Sequence, residues 1–179
     1  MYRPLSSIQR GFTLIEVMVA VVILAVGLLG MASLMARSQK SNESAYSRSQ
    51  ATLMAYDIVE RMRTNLVDPA NSDRKYKVLF VTESSSNAGK YSFSSLPGCT
   101  APTGAIPAGG ANRASYDIAS WCTSLKSSLP SVDTANTKIS LDTSKLDTLG
   151  TATVTVRIQW QDNSKDGGQT QYVEVVTSL

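Results

Sequence analysis

Histidine is absent from the 179 residues, and cysteine occurs only twice. The first absence removes the usual activator of a serine or cysteine nucleophile and the commonest metal ligand. Neither a glycine-rich phosphate loop nor a metal-ligand spacing stands in for it. Asp133, Asp142, Asp147 and Asp162 fall singly on expected loops, where a solvated carboxylate is the ordinary state. Lys138, Lys145 and Lys165 are equally dispersed. No catalytic residue, cofactor or metal is therefore expected. Charge of one sign is scarce too: 17 basic residues face 14 acidic ones, for a net +3. Nucleic acid is not expected as the main partner, since no basic stripe runs along the chain. Arg74, Lys75 and Lys77 read as a solvated strand end. Cys99 and Cys122 stand alone, and a lone pair in an exported domain is most simply a disulfide.

Charge is scarcest from Phe12 to Ala36, where Glu16 is the single ionisable side chain. Val17 to Ala36 alone is 20 residues, which as a helix rise about 30 Å, the hydrocarbon thickness of a bilayer. A carboxylate at the bilayer centre costs on the order of 3 kcal/mol, less near an interface. Glu16 is thus a functional residue in search of a partner. A secretory signal peptide would be shorter in its apolar stretch and would not carry Glu16 near its start, although Gly27, Gly30, Ala32 and Ser33 supply small residues like those of a cleavage site. A plain single-pass anchor accounts for the length and gives Glu16 no task.

The run Gly11-Phe-Thr-Leu-Ile-Glu16, behind the basic leader ending Gln9-Arg10, resembles the type IV prepilin signature. The resemblance implies that a prepilin peptidase cuts between Gly11 and Phe12 and methylates the Phe12 amine. It also implies that Glu16 serves subunit assembly. Cleavage would place a cationic amine one helical turn before an anion. Pairing Glu16 of one subunit with the Phe12 amine of the next would satisfy both buried charges and fix the register of a helical polymer. Loss of Arg3 and Arg10 with the leader would leave 15 basic residues against 14 acidic.

From Arg37 to Leu66 there is no proline or glycine, and Ala51, Ala55, Ile58, Val59, Met62 and Leu66 recur at helical steps. Asp57 and Arg61 form an i, i+4 pair on this segment. Pro69 ends it. Phe12–Leu66 then predicts one helix of about 80 Å. Gly27 and Gly30 lie inside it and serve either to loosen it or to let helices approach closely. Beyond Pro69 the pattern predicts strands at Tyr76–Thr82 and Tyr91–Phe93 and loops at Ser84–Gly89 and Leu96–Gly110. A helix follows from Ala114 to Leu129, with Cys122 facing inward. The closing hairpin pairs Val154–Trp160 with Gln171–Thr177 across Asn163–Gly168. Trp121 and Trp160 read as packing residues.

The expected fold is α+β and pilin-like: a long N-terminal helix, its first half membrane-spanning, packed on a C-terminal antiparallel β-sheet domain. The expected divisions are a cleaved leader at 1–11, an assembly helix at 12–36, an amphipathic continuation at 37–66 and a globular domain at 67–179. Ala119-Ser-Trp-Cys122 and the late Val-x-Val-x-Ile-x-Trp strand resemble the PilV-type minor pilins. The chain departs from the common pilin pattern in having 57 residues after its second cysteine. The resemblance implies a minor pilin that takes part in type IV pilus assembly. Its partners would be the prepilin peptidase, other minor pilins, the major pilin and the inner-membrane assembly platform. It would reside in the bacterial inner membrane, globular domain periplasmic, and then in the fibre. A minor pseudopilin of a type II secretion system shares the leader and the helix. A membrane-tethered exported enzyme is the alternative of another class.

Overall fold

The absence of proline between Phe12 and Leu66 has its structural counterpart in one uninterrupted helix, α1, Leu14–Thr64. The computed structural model describes residues 11–65, 91–107, 110–129, 131–142, 144–145, 151–162 and 168–179. The expected strand Tyr76–Thr82, the loop Ser84–Gly89, the terminator Pro69 and Leu66 lie outside the described residues. At its C-terminal end α1 closes with the Asn65 amide donating to the carbonyls of Arg61 and Met62, both at 3.1 Å. The chain divides into two compact units, Met1–Ser41 and Asn42–Leu179. Each contains part of α1.

In the first unit the helix is exposed along its described length, from Leu14 to Met35 on every side. An all-round apolar surface is what the composition of this segment dictates, because no polar face exists to turn toward water. The segment is long and apolar enough to cross a membrane.

In the second unit the helix becomes amphipathic. Ala51, Ala55, Ile58, Val59 and Met62 are fully buried, the stripe that the spacing predicts. They pack into one core with helix α2, Gly110–Ser128, and with the sheet. Helix α2 begins four residues before Ala114, where its apolar pattern starts. Ala114, Ile118, Cys122 and Leu125 bury its inner face. Trp121, fully buried, donates its indole N–H to the Met54 carbonyl of α1 at 2.8 Å. Full burial of a side chain of this class contributes about 2–3 kcal/mol, and the indole hydrogen bond sets how α2 lies on α1.

The sheet has three antiparallel strands in the order β1-β2-β3: β1 Lys138–Asp142, β2 Thr153–Asp162 and β3 Gln169–Ser178. Val154, Val156, Ile158 and Trp160 of β2 face the core. They pair with Thr177, Val175, Val173 and Gln171 of β3. Thr155, Arg157 and Gln159 alternate onto the outer face, as the period-two pattern requires. Strand β1 was not apparent in the sequence: Ile139 and Leu141 are its only apolar residues, too few to mark a strand. The predicted strand Tyr91–Phe93 reduces to a single bridge, Phe93 with Ile139, with reciprocal bonds of 2.9 and 3.0 Å. Tyr91 leaves the extended path because its hydroxyl is drawn into a buried cluster, donating to Asp117 at 2.6 Å. Asp162, expected as a solvated loop carboxylate, instead ends β2, is 4 % exposed and accepts from Ser44 Oγ of α1 at 2.5 Å.

Candidate processing and assembly site

Gly11, Phe12 and Thr13 precede the helix in an exposed, non-helical stretch, and α1 starts at Leu14. Thr13 is the N-cap. The Glu16 amide donates to its carbonyl at 3.1 Å and to its hydroxyl at 3.3 Å, and the Val17 amide donates to the same carbonyl at 3.3 Å. Four amides at a helix start have no intrahelical acceptor, and a threonine hydroxyl supplies one. Glu16 is therefore the third helical residue, and Thr13-Leu-Ile-Glu16 has the spacing of a capping box. A carboxylate in the first turn also faces the positive end of the helix dipole. The sequence reading placed a role on Glu16 and missed Thr13, although the Ser/Thr-x-x-Glu signal was present.

Gly11 has an ordinary, non-left-handed backbone, and a Cβ built on it would meet nothing within 4 Å. Among the described residues, neither conformation nor crowding requires glycine there. The same open space surrounds Gly27 and Gly30 on the helix. Phe12 is 82 % exposed, the most exposed of the described large apolar residues.

In the second unit Cys99 and Cys122 form a disulfide with Cα atoms 5.3 Å apart. It fastens the proline-rich loop to the buried face of α2. Nearby, Asp117, 1 % exposed, gathers the Tyr91 hydroxyl at 2.6 Å, Arg113 Nε at 3.0 Å and Arg61 Nη1 at 3.7 Å. Asn65 donates to the same tyrosine oxygen at 3.3 Å. Burial first, and then the bond to Asp117, raises the Tyr91 hydroxyl far above its ordinary value. The phenol stays a donor at every physiological pH. This cluster links both helices through satisfied charges; its members are too far apart in sequence for the pattern to announce it.

Residues 6–32 match the family model described as the prokaryotic N-terminal methylation motif. No curated protein and no solved structure matches the chain. The motif begins within the leader, spans Gly11, Phe12 and Glu16, and ends inside the exposed apolar half of α1, on a chain whose architecture is a long helix packed on an antiparallel sheet. Such a motif indicates a type IV pilin-like or pseudopilin-like precursor, and here it lies on an α+β, pilin-like architecture.

Proposed function

We propose that this protein is a minor pilin, cut between Gly11 and Phe12, methylated at Phe12 and assembled through Glu16 into a type IV pilus. The observation that carries the reading is the methylation motif over residues 6–32 together with the unburied apolar helix that it enters. Three features of the N-terminus support it. Glycine at position 11 answers no demand of the described residues, which suits a backbone that an enzyme must approach closely. Glu16 is anchored at a helix start, one turn from the amine that cleavage would create at Phe12. The apolar surface from Leu14 to Met35 has no cover within its own unit, and either lipid or the helices of neighbouring subunits would supply one. The partners are then a prepilin peptidase, the other pilins and the inner-membrane assembly platform, with the globular unit periplasmic.

N-terminal mass spectrometry of protein from its own host tests the processing step. The expected mature chain starts at Phe12 with a methylated amine. Gly11→Val is expected to accumulate as the uncut precursor, because a branched side chain obstructs the peptidase. A start at Met1, or a cut after Ser33, would remove the assignment.

A further inference from the structure

Among the described strands, β3 ends the sheet. The Leu179 amide donates to the directly opposed Ala152 carbonyl at 2.8 Å. In an antiparallel ladder bonded pairs recur at every second residue. Val154 with Thr177, Val156 with Val175 and Ile158 with Val173 are therefore the bonded pairs of β2 and β3. The intervening residues, Thr170, Tyr172, Glu174 and Val176, turn their amide and carbonyl groups away from β2. These groups have no backbone partner among the described residues.

Helix α1 forms the opposite wall of an open cleft of about 610 Å³, with Arg48 and Thr52 facing residues 170–174. Arg48 is exposed and has no ion-pair partner among the described residues. Glu174 does not neutralise it; that carboxylate lies on the outer sheet face, 4.0 Å from Arg157. The Arg157 guanidinium also sits 4.2 Å from the centre of the Tyr172 ring, which holds the middle of the edge in place. Among the described residues, the cleft thus offers backbone groups without a backbone partner on one wall and a cation without an ion pair on the other.

We infer that the cleft receives an extended segment of another protein, added as a strand to β3, with an acidic side chain of that segment meeting Arg48. A helix satisfies its own backbone groups and would leave β3 unpaired, whereas an added strand matches the two-residue repeat of the edge. The carboxylate follows from charge complementarity with Arg48. The inference rests on the Asn42–Leu179 unit alone and is independent of the processing and assembly reading.

The test uses the full chain in detergent and a labelled, strand-length synthetic peptide of alternating valine and threonine around one central glutamate. Its twin carries lysine at that position. The glutamate peptide is expected to bind about five-fold tighter than the lysine peptide, the size of a partly exposed charge pair. Arg48→Gln should abolish that preference. Thr170→Pro removes an outward amide without touching the β2 ladder, and should weaken both peptides by about ten-fold, the loss of one hydrogen bond. Unchanged thermal unfolding of each variant establishes that the fold is intact; Val176→Pro serves if Thr170→Pro unfolds. Equal affinity for the two peptides, or binding indifferent to both proline variants, overturns the inference. Self-association that the peptide displaces would make a second copy the occupant, and overturns it equally.

Discussion

Glu16 and Thr13 occupy the two ends of the first turn of α1, and they separate two roles that the sequence runs together. Capping belongs to Thr13: replacing it with Ala removes the hydroxyl that accepts the Glu16 amide, a loss of about 1 kcal/mol local to the helix start. Charge belongs to Glu16. Glu16→Ala is expected to leave the Asn42–Leu179 unit folded and the membrane level of protein equal or higher, while the fraction recovered in sheared fibres falls. Glu16→Asp, one methylene shorter, should give an intermediate fraction. Normal incorporation of Glu16→Ala at normal expression would remove the assembly role. Asp133 makes a second residue-scale prediction. The Asn136 side chain first, and then the amides of Asn136 and Ala135 and the Gln159 side chain, lower its carboxyl below the ordinary value. A lowered native pKa contributes stability that is present above the unfolded value of about 3.9 and is lost as pH falls through the native value. Asp133→Asn should therefore lower the melting temperature at pH 7, where the carboxylate's contribution is fully present, change it little in acid, and so flatten part of the acid limb of the profile. An unaltered acid limb would contradict this.

The strands divide their residues by face, and the division sets the cost of substitution. Val156 is fully buried against the core, whereas Thr155 points to the outer face and is partly exposed. Val156→Ala is expected to lower unfolding free energy by about 2 kcal/mol through lost burial and the cavity left behind. Thr155→Ala should stay within about 0.5 kcal/mol, as surface changes usually do. Denaturant melts of the two variants compare them directly; similar losses would mean the register of β2 is shifted by one residue. The alternation Val154-x-Val156-x-Ile158-x-Trp160 made this strand legible in advance, and the three- and four-residue steps did the same for the second half of α1. Strand β1 was not legible. Five residues with two apolar side chains carry too little periodicity, and β1 exists because β2 offers it a partner.

At the scale of the molecule, the disulfide joins a loop without regular structure to the face of α2 that meets α1 and the sheet. A bridge with a sequence separation of 23 restricts the unfolded chain by about 3 kcal/mol in the chain-entropy model. Replacing both Cys99 and Cys122 with serine, or reducing the native protein, should lower the unfolding midpoint by roughly 10 °C. Two alkylatable thiols in native, unreduced protein would contradict the bridge. The buried cluster around Asp117 acts at the same scale, since it ties Arg61 of α1 to Arg113 of α2 through one carboxylate.

The amino-acid sequence by itself determined the helix, the apolar surface of its first half, the core stripe of its second half and the closing hairpin. These are local periodicities, and a helix or a two-stranded ribbon needs little beyond them. It also carried the methylation motif, which is a run of contiguous residues. Only the tertiary structure decided the rest. Asp162 is buried because Ser44, far away in sequence, supplies its hydrogen bond. Tyr91 abandons its strand because Asp117 captures its hydroxyl. The outer edge of β3, without a backbone partner among the described residues, and the facing Arg48 become one cleft because packing brings α1 beside the sheet, and no spacing along the chain encodes that approach.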